Sequence, residues 1–421
     1  MFAKLTDRLT FSGTLSPLLI PDFRRLMLGN ALWWHALYME MIVMGWLVQD
    51  LTGSAWSVAL IGFFRSLPFL ITGIFGGLLT DCFGRRAVII SAQSAALMAY
   101  VLIALLIWSN LLALWHLGAC SFILGLAWSL DFPARRALMP DIVGKEKTLD
   151  ALLVDSFGQG IMRISGPLLA GWLIVTVGAA GCFAVAALMS LIALVALWQL
   201  SQQPIPRTNR EAKAPPWTLI GQGLGYVRHN QPILAVVLIT VVMNLLIFPY
   251  MSLLPTFAAD VLKSDALGLG MLGTGTGAGA FLGLYVISRL RRLHSGGLIF
   301  AVGTICQCTG LAVFALSTYY PLSWVMLFLA GMGQSCFALM QSSIVLLAAS
   351  DEMRSRAMGS VVLAIGTDPL GKLQTGALAE RYGAPATLAG QASLAATLII
   401  LIAVALPGLR RMPIETAAEV R

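Results

Sequence analysis

Charge is what this 421-residue sequence has least of. Only 11% of its residues are Asp, Glu, Lys or Arg, whereas 58% are hydrophobic. An ordinary soluble domain is about 25% charged. A single core cannot absorb that much apolar surface, so the composition excludes a soluble globular protein and implies an apolar solvent, the lipid bilayer. Cysteine is also sparse. The six (82, 120, 182, 306, 308 and 336) form no CxxC pair and no metal-ligand spacing, which excludes a disulfide scaffold or a structural zinc site. They are read as small core side chains.

Two nucleotide-like strings are empty of the chemistry they mimic. GTDPLGKL at 366–373 fits G-x-x-x-x-G-K but has Leu373 where a magnesium-binding Ser or Thr is needed, and it lies inside an apolar run. GLGMLG at 268–273 belongs to a glycine series (Gly275, Gly277, Gly279, Gly283) suited to close helix packing, as are Gly73 and Gly77. No cofactor, metal or enzymatic activity is expected, and transport energy would come from an ion gradient. The net charge of +8 does not point to nucleic acid, because the basic residues sit in short connections between apolar runs.

What is present is a repeated hydrophobic run. A span takes roughly 20 apolar residues, and the runs predict spans at 26–49, 56–80, 87–108, 112–131, 151–175 and 180–200, then 232–257, 266–288, 296–317, 322–348, 357–380 and 387–407. Lys and Arg alternate between the connections. One face has Lys4, Arg8, Arg24 and Arg25, then Arg85 and Arg86, then Arg135, Arg136, Lys145 and Lys147, and so on to Arg410, Arg411 and Arg421, while the other has only Lys263 and Arg381. The positive-inside rule then places both termini in the cytoplasm. Residues 1–25 carry six charges and no signal-type core, so the first span is expected to be an uncleaved anchor. The predicted organisation is a six-helix half at 1–200, a polar and proline-rich linker at 201–230 with a short amphipathic helix, and a second six-helix half at 231–421. Gly77, Arg85 and Arg86 recur as Gly283, Arg291 and Arg292, a shift of 206 residues. Duplicated halves are how many secondary transporters are built.

The stretch GGLLTDCFGRR at 76–86 places an acid and two arginines between two apolar runs. Its pattern at Gly77, Asp81, Gly84, Arg85 and Arg86 resembles the loop between spans two and three of the major facilitator superfamily. DFRRLMLGN at 22–30, LTGSAWSV at 51–58 and DFPARRALMPDIV at 131–143 are similar to the bacterial branch of enterobactin and macrolide exporters. GPLLAG at 166–171 (Gly166, Pro167, Gly171) resembles the fifth-span antiporter motif, with Ala170 in place of a glycine. The resemblance implies an all-α membrane fold of twelve helices in two pseudo-symmetric bundles, and a conformational latch in which Asp81 pairs with helix ends while Arg85 and Arg86 lie on the membrane surface. Cys82 replaces a usual basic residue and Ile287 stands at the second copy's acid, so the latch would work from the first half.

Three basic residues remain deep inside spans, Arg65, Arg163 and Lys372, and the acids at comparable depth are Glu40, Asp368 and, shallower, Asp155. Each costs at least about 2.5–3.5 kcal/mol at mid-bilayer unless it is paired or lines a wet cavity. Glu40 and Arg65 lie at equal depth on consecutive helices. Asp368 and Lys372 are four apart on one helix face, and the resemblance implies that span eleven packs near span two. Asp155, Gln159 and Arg163 form a polar stripe on span five. Two readings stand: static pairs that fix helix packing, or proton-exchanging acids (Glu40, Asp368, Asp155) whose basic partners hold an anionic substrate. His35 is read as a helix-interface residue. Trp33, Trp34, Trp46, Trp56, Trp108 and Trp115 are read as interfacial anchors, and Trp128, Phe64 and Phe69 as cavity walls. Pro68, Pro167, Pro249 and Pro369 would bend their helices.

The resulting expectation is a monomeric, proton-coupled exporter in a bacterial inner membrane, moving a small amphipathic, siderophore-like substrate through a mid-membrane site between its halves. A broad drug efflux pump and a lipid or lysophospholipid flippase on the same fold are the alternatives, with a non-transporting sensor as a further class.

Overall fold

The computed structural model describes residues 15–201, 221, 225–290, 295–350 and 352–410. Among them every regular element is helical. In chain order these are α1 Pro21–Thr52, α2 Ala55–Phe83, α3 Arg85–Trp108 and α4 Leu114–Val143. The element Thr148–Trp198 divides at Gly178 into α5 (148–177) and α6 (179–198). There follow α7 Gln231–Val261, α8 Ala266–Leu290, α9 Gly296–Leu316, α10 Tyr320–Ala348, a two-piece α11 (Arg354–Ile365 and Asp368–Tyr382) and α12 Ala384–Ala405. The described residues thus hold twelve passes. Helices are the form such runs must take, because hydrocarbon offers no partner to an unsatisfied backbone N–H or C=O.

The faces of these helices are inverted relative to those of a soluble bundle. On α3 the exposed positions Met98, Val101, Leu102 and Leu105 are large and apolar at i, i+3, i+4 and i+7, and α6 repeats the spacing with Leu188, Leu191, Ile192 and Val195. The buried face of α3 mixes small residues, Ala92, Ala96, Ala99 and Ala104, with larger ones such as Ile89, Tyr100 and Ile103. Large side chains meet lipid, and small ones let helices approach.

Tight turns depend on glycine. Gly84 alone separates α2 from α3, at φ 80° and ψ 143°, and Gly383 joins α11 to α12 at φ 83° and ψ 151°. That region is nearly closed to residues bearing a Cβ. The charged stretch at 76–86 is therefore mostly helix, with a one-residue connection.

One compact unit comprises Met1–Leu47 and Phe64–Arg210, the other Val48–Phe63 and Glu211–Arg421. The outer end of α1 and the first part of α2 thus belong to the second unit. Gln49 shows why: it donates to Asp260 at 3.0 Å and accepts from the Thr256 hydroxyl at 2.8 Å. In the second unit the α8 glycines serve packing, as their series predicts. A Cβ on Gly279 would overlap the Phe328 carbonyl of α10. Most of the 201–230 linker lies outside the described residues, although 225–229 is helical.

Candidate functional site

In the first unit, Glu40 of α1 and Arg65 of α2 form an ion pair, Oε2 to Nη2, at 3.0 Å. Glu40 is 2% exposed and Arg65 8%. Their equal depth follows from their spacing in antiparallel helices, and α4 packs closely beside the pair. Gly125 lies against the Arg65 backbone carbonyl, and the guanidinium sits 5.7 Å from the centroid of the Trp128 ring. Phe69 meets Trp128 edge-on at 4.8 Å. Tyr100 of α3 and Cys120 of α4 are near enough to feel the Glu40 charge.

Arg65 is not saturated. Its Nε and Nη1 are buried without a hydrogen-bond partner. A guanidinium has five N–H donors, and Glu40 engages only one edge. These nitrogens are further donors that an anion could engage beside the Trp128 ring.

The stripe on α5 faces α1 but does not act as one unit. Asp155 accepts from Asn30 at 2.7 Å. Gln159 hydrogen-bonds Tyr38, which also feels the charge of Arg163. His35 Nδ1 approaches the Met162 sulfur at 2.8 Å, so His35 sits in the α1–α5 interface. Gly166 admits this contact, since a Cβ there would lie 2.8 Å from that of Tyr38. Pro167 and Gly171 are buried in the same helix.

In the second unit, α11 is broken, and Asp368 opens its second piece, where the unpaired N–H groups of a helix start favour an anion. Asp368 pairs with Lys372 at 2.8 Å, both side chains under 20% exposed. Gly62, in the early part of α2, lies against the Lys372 stem, so α2 and α11 meet as the resemblance implied.

Arg85 and Arg86, at the start of α3, reach the neighbouring helices α4 and α6. Arg85 donates to the Ala137 carbonyl at 2.7 Å and pairs with Asp141 near the end of α4, while Arg86 donates to the Trp198 carbonyl that ends α6. Arg86 thereby binds an orphan acceptor at a helix C-terminus, while Arg85 binds the last turns of α4. Gly77 and Asp81 lie on α2, and the surroundings of the Asp81 side chain fall outside the described residues.

Three sequence readings are corrected. Arg135 was counted with the basic connection after span four, but α4 runs on to Val143 and buries Asp131 and Arg135 at 0% and 2% exposure. A hydropathy reading stops a span at its first charges, whereas here the charges neutralise each other inside the bundle. Trp33 and Trp34 are buried, not interfacial, while Trp56, Trp108 and Trp115 are exposed. Cys306 is exposed on α9 rather than in the core.

Comparison with known proteins places this geometry. The profile of the family described as "Transmembrane secretion effector" matches residues 12–419. The multidrug efflux pump Tap of Mycobacterium tuberculosis is 25% identical over 399 residues, covering 90% of this chain and 92% of that protein. The enterobactin exporter EntS of Escherichia coli is 24% identical over 382 residues, with 88% and 89% covered. Among solved structures, the nucleoside transporter NupG superposes with a TM-score of 0.72 at 13% identity, covering 90% of this chain and 99% of that one. A POT family transporter in complex with 5-aminolevulinic acid gives 0.74 at 11% identity, with 92% and 96% covered. These likenesses show the fold, and the profile match shows the family. The chain belongs to the transmembrane secretion effector family of the major facilitator superfamily.

Proposed function

We propose that this protein is a proton-coupled exporter that moves a small amphipathic, anion-bearing metabolite out of the cytoplasm by alternating access. One observation carries the reading: a buried carboxylate–guanidinium pair, Glu40–Arg65, in which the guanidinium keeps two unpartnered N–H groups beside Trp128. An isolated charge is costly inside a membrane protein, so the pair is held together by mutual need. A proton arriving on Glu40 releases Arg65 to hold an anionic group, and the loss of that proton restores the pair and expels the group. Arg163 and Gln159, along α1 from the pair, and the Asp368–Lys372 pair are further charge partners in this reading. The exporter works as a monomer in the inner membrane, and the distribution of Lys and Arg supports cytoplasmic termini.

The similarity to EntS favours a siderophore-like cargo, and that to Tap favours a second reading, a broad-specificity drug pump. Proton release from detergent-purified protein on addition of enterobactin, or of a panel of cationic drugs, tests both. Release with enterobactin that vanishes in Glu40→Gln supports the first reading. Release with the drugs alone favours the second, and release that survives Glu40→Gln removes Glu40 from the coupling role.

A further inference from the structure

A second set of buried charges lies in the same unit, ten residues from Glu40 along α1, or about 15 Å by helix rise. Asn30 of α1, Gln93 of α3, Asp131 and Arg135 of α4 and Asp155 of α5 are all 7% exposed or less. Arg135 binds Asp131 through Nε, donates to Asn30 Oδ1 at 2.7 Å and donates to Gln93 Oε1 at 2.9 Å. Asn30 in turn donates to Asp155 at 2.7 Å, and Gln93 to the Ser190 carbonyl of α6 at 3.4 Å. Five helices are tied through one guanidinium.

The charges in this cage do not balance. Two carboxylates face one guanidinium, so the fully ionised set carries a net charge of −1. The two carboxylates repel each other. Asp131 is completely buried, yet its Oδ1 has no hydrogen-bond partner. The Trp33 ring, 5.5 Å from the Arg135 guanidinium, is 1% exposed and its indole N–H is unpartnered too. The other charged group acting on the cage from the described residues is Arg136, an exposed side chain lying over Phe132. It acts on Asp155 more strongly than Arg135 does, and so favours Asp155 as the carboxylate that stays ionised, while α6 contributes the Ser190 carbonyl. A buried excess charge of this kind is neutralised rather than left standing.

We propose that the cage binds one proton at Asp131 Oδ1, with Asp155 as the counter-carboxylate, forming a proton site separate from Glu40. A hydronium from the aqueous phase gives up one O–H bond as one forms on Asp131, water leaves, and the cage goes from −1 to neutral. Loss of that proton restores the repulsion between Asp131 and Asp155, which α1 and α5 transmit through Asn30. The inference does not depend on the coupling role of Glu40.

Infrared difference spectra of the purified full-length protein in liposomes test it, recorded across a pH range in sodium-free and sodium-containing buffers. The expected result is a titrating carboxylic-acid C=O band that persists in Glu40→Gln and disappears in Asp131→Asn. In Asp155→Asn the midpoint of that band moves to lower pH by about tenfold in proton concentration, because a neighbouring negative charge has gone. If Asp131→Asn fails to give a folded peak on gel filtration, the Asp155→Asn shift decides. A band that vanishes in Glu40→Gln while Asp131→Asn and Asp155→Asn leave the spectrum unchanged overturns the proposal. So does a band that sodium abolishes, since the occupant is then a metal ion.

Discussion

Gly125 of α4 lies so close to the backbone carbonyl of Arg65 on α2 that any Cβ would overlap that oxygen. The same relationship recurs 206 residues later, where Gly331 of α10 meets the carbonyl of Thr276 on α8. Each half thus uses a glycine to bring its fourth helix against its second. In the first half this contact also fixes the backbone that carries the buried cation.

Gly125→Ala should push α4 away from α2 at a cost of about 1–3 kcal/mol, the usual range for overpacking. Gly359→Ala is the control, because that helical glycine has open space around it and a Cβ there meets nothing. Denaturant titrations in detergent micelles should show the first variant destabilised and the second unchanged or slightly more stable. Equal behaviour of the two would mean that the helix contact is loose.

The Glu40–Arg65 pair should show strong coupling in a double-mutant cycle. Removing one partner, as in Glu40→Gln or Arg65→Met, leaves the other buried charge uncompensated and should cost about 3–5 kcal/mol. Removing both, in Glu40→Gln with Arg65→Met, should cost less than either single change. Unfolding of all three variants in the same detergent gives the coupling energy directly. Additive losses would show that the two side chains do not sense each other.

At Gly84 the backbone demands a conformation nearly exclusive to glycine. Gly84→Ala should therefore cost about 1–3 kcal/mol and open the α2–α3 turn, so that Arg85 loses its reach to Ala137 and Asp141. Limited proteolysis at the turn should rise in step with the lost stability. An unchanged melting profile would mean that the turn has another accessible form.

Asp368 should act through its helix start and its partner Lys372, not as the main proton carrier. Asp368→Asn should cost about 0.3–1 kcal/mol, the range for a carboxylate at a helix N-terminus, while substrate-induced proton release continues. Loss of that release in Asp368→Asn, with release retained in Glu40→Gln, would exchange the roles of the two acids.

Much of this was legible along the chain. Apolar run lengths determine membrane-spanning helices because hydrocarbon forbids unsatisfied backbone, and the loop arginines mark the ends of those helices. Glu40 and Arg65 could be matched by depth because helix rise is constant and consecutive spans run antiparallel. The Asp131–Arg135 cage was not legible in this way. Charges near the end of an apolar run look like the beginning of a loop until other helices are seen to surround them. The signal available was the spacing of Asp131 and Arg135, four apart on one helix face, which allows them to neutralise each other. Asn30, Gln93 and Asp155 come from three other helices, up to 125 residues distant in sequence, and no local pattern links them. The transfer of residues 48–63 to the second unit was likewise decided by tertiary contacts, Gln49 with Asp260 and Gly62 with Lys372. Sequence by itself determined which segments enter the membrane and roughly how deep the mid-span charges Glu40 and Arg65 sit, because those depend on transfer energy and helix geometry alone. Only the tertiary structure decided which charges meet, since rotation about each helix axis is set by the packing of its neighbours.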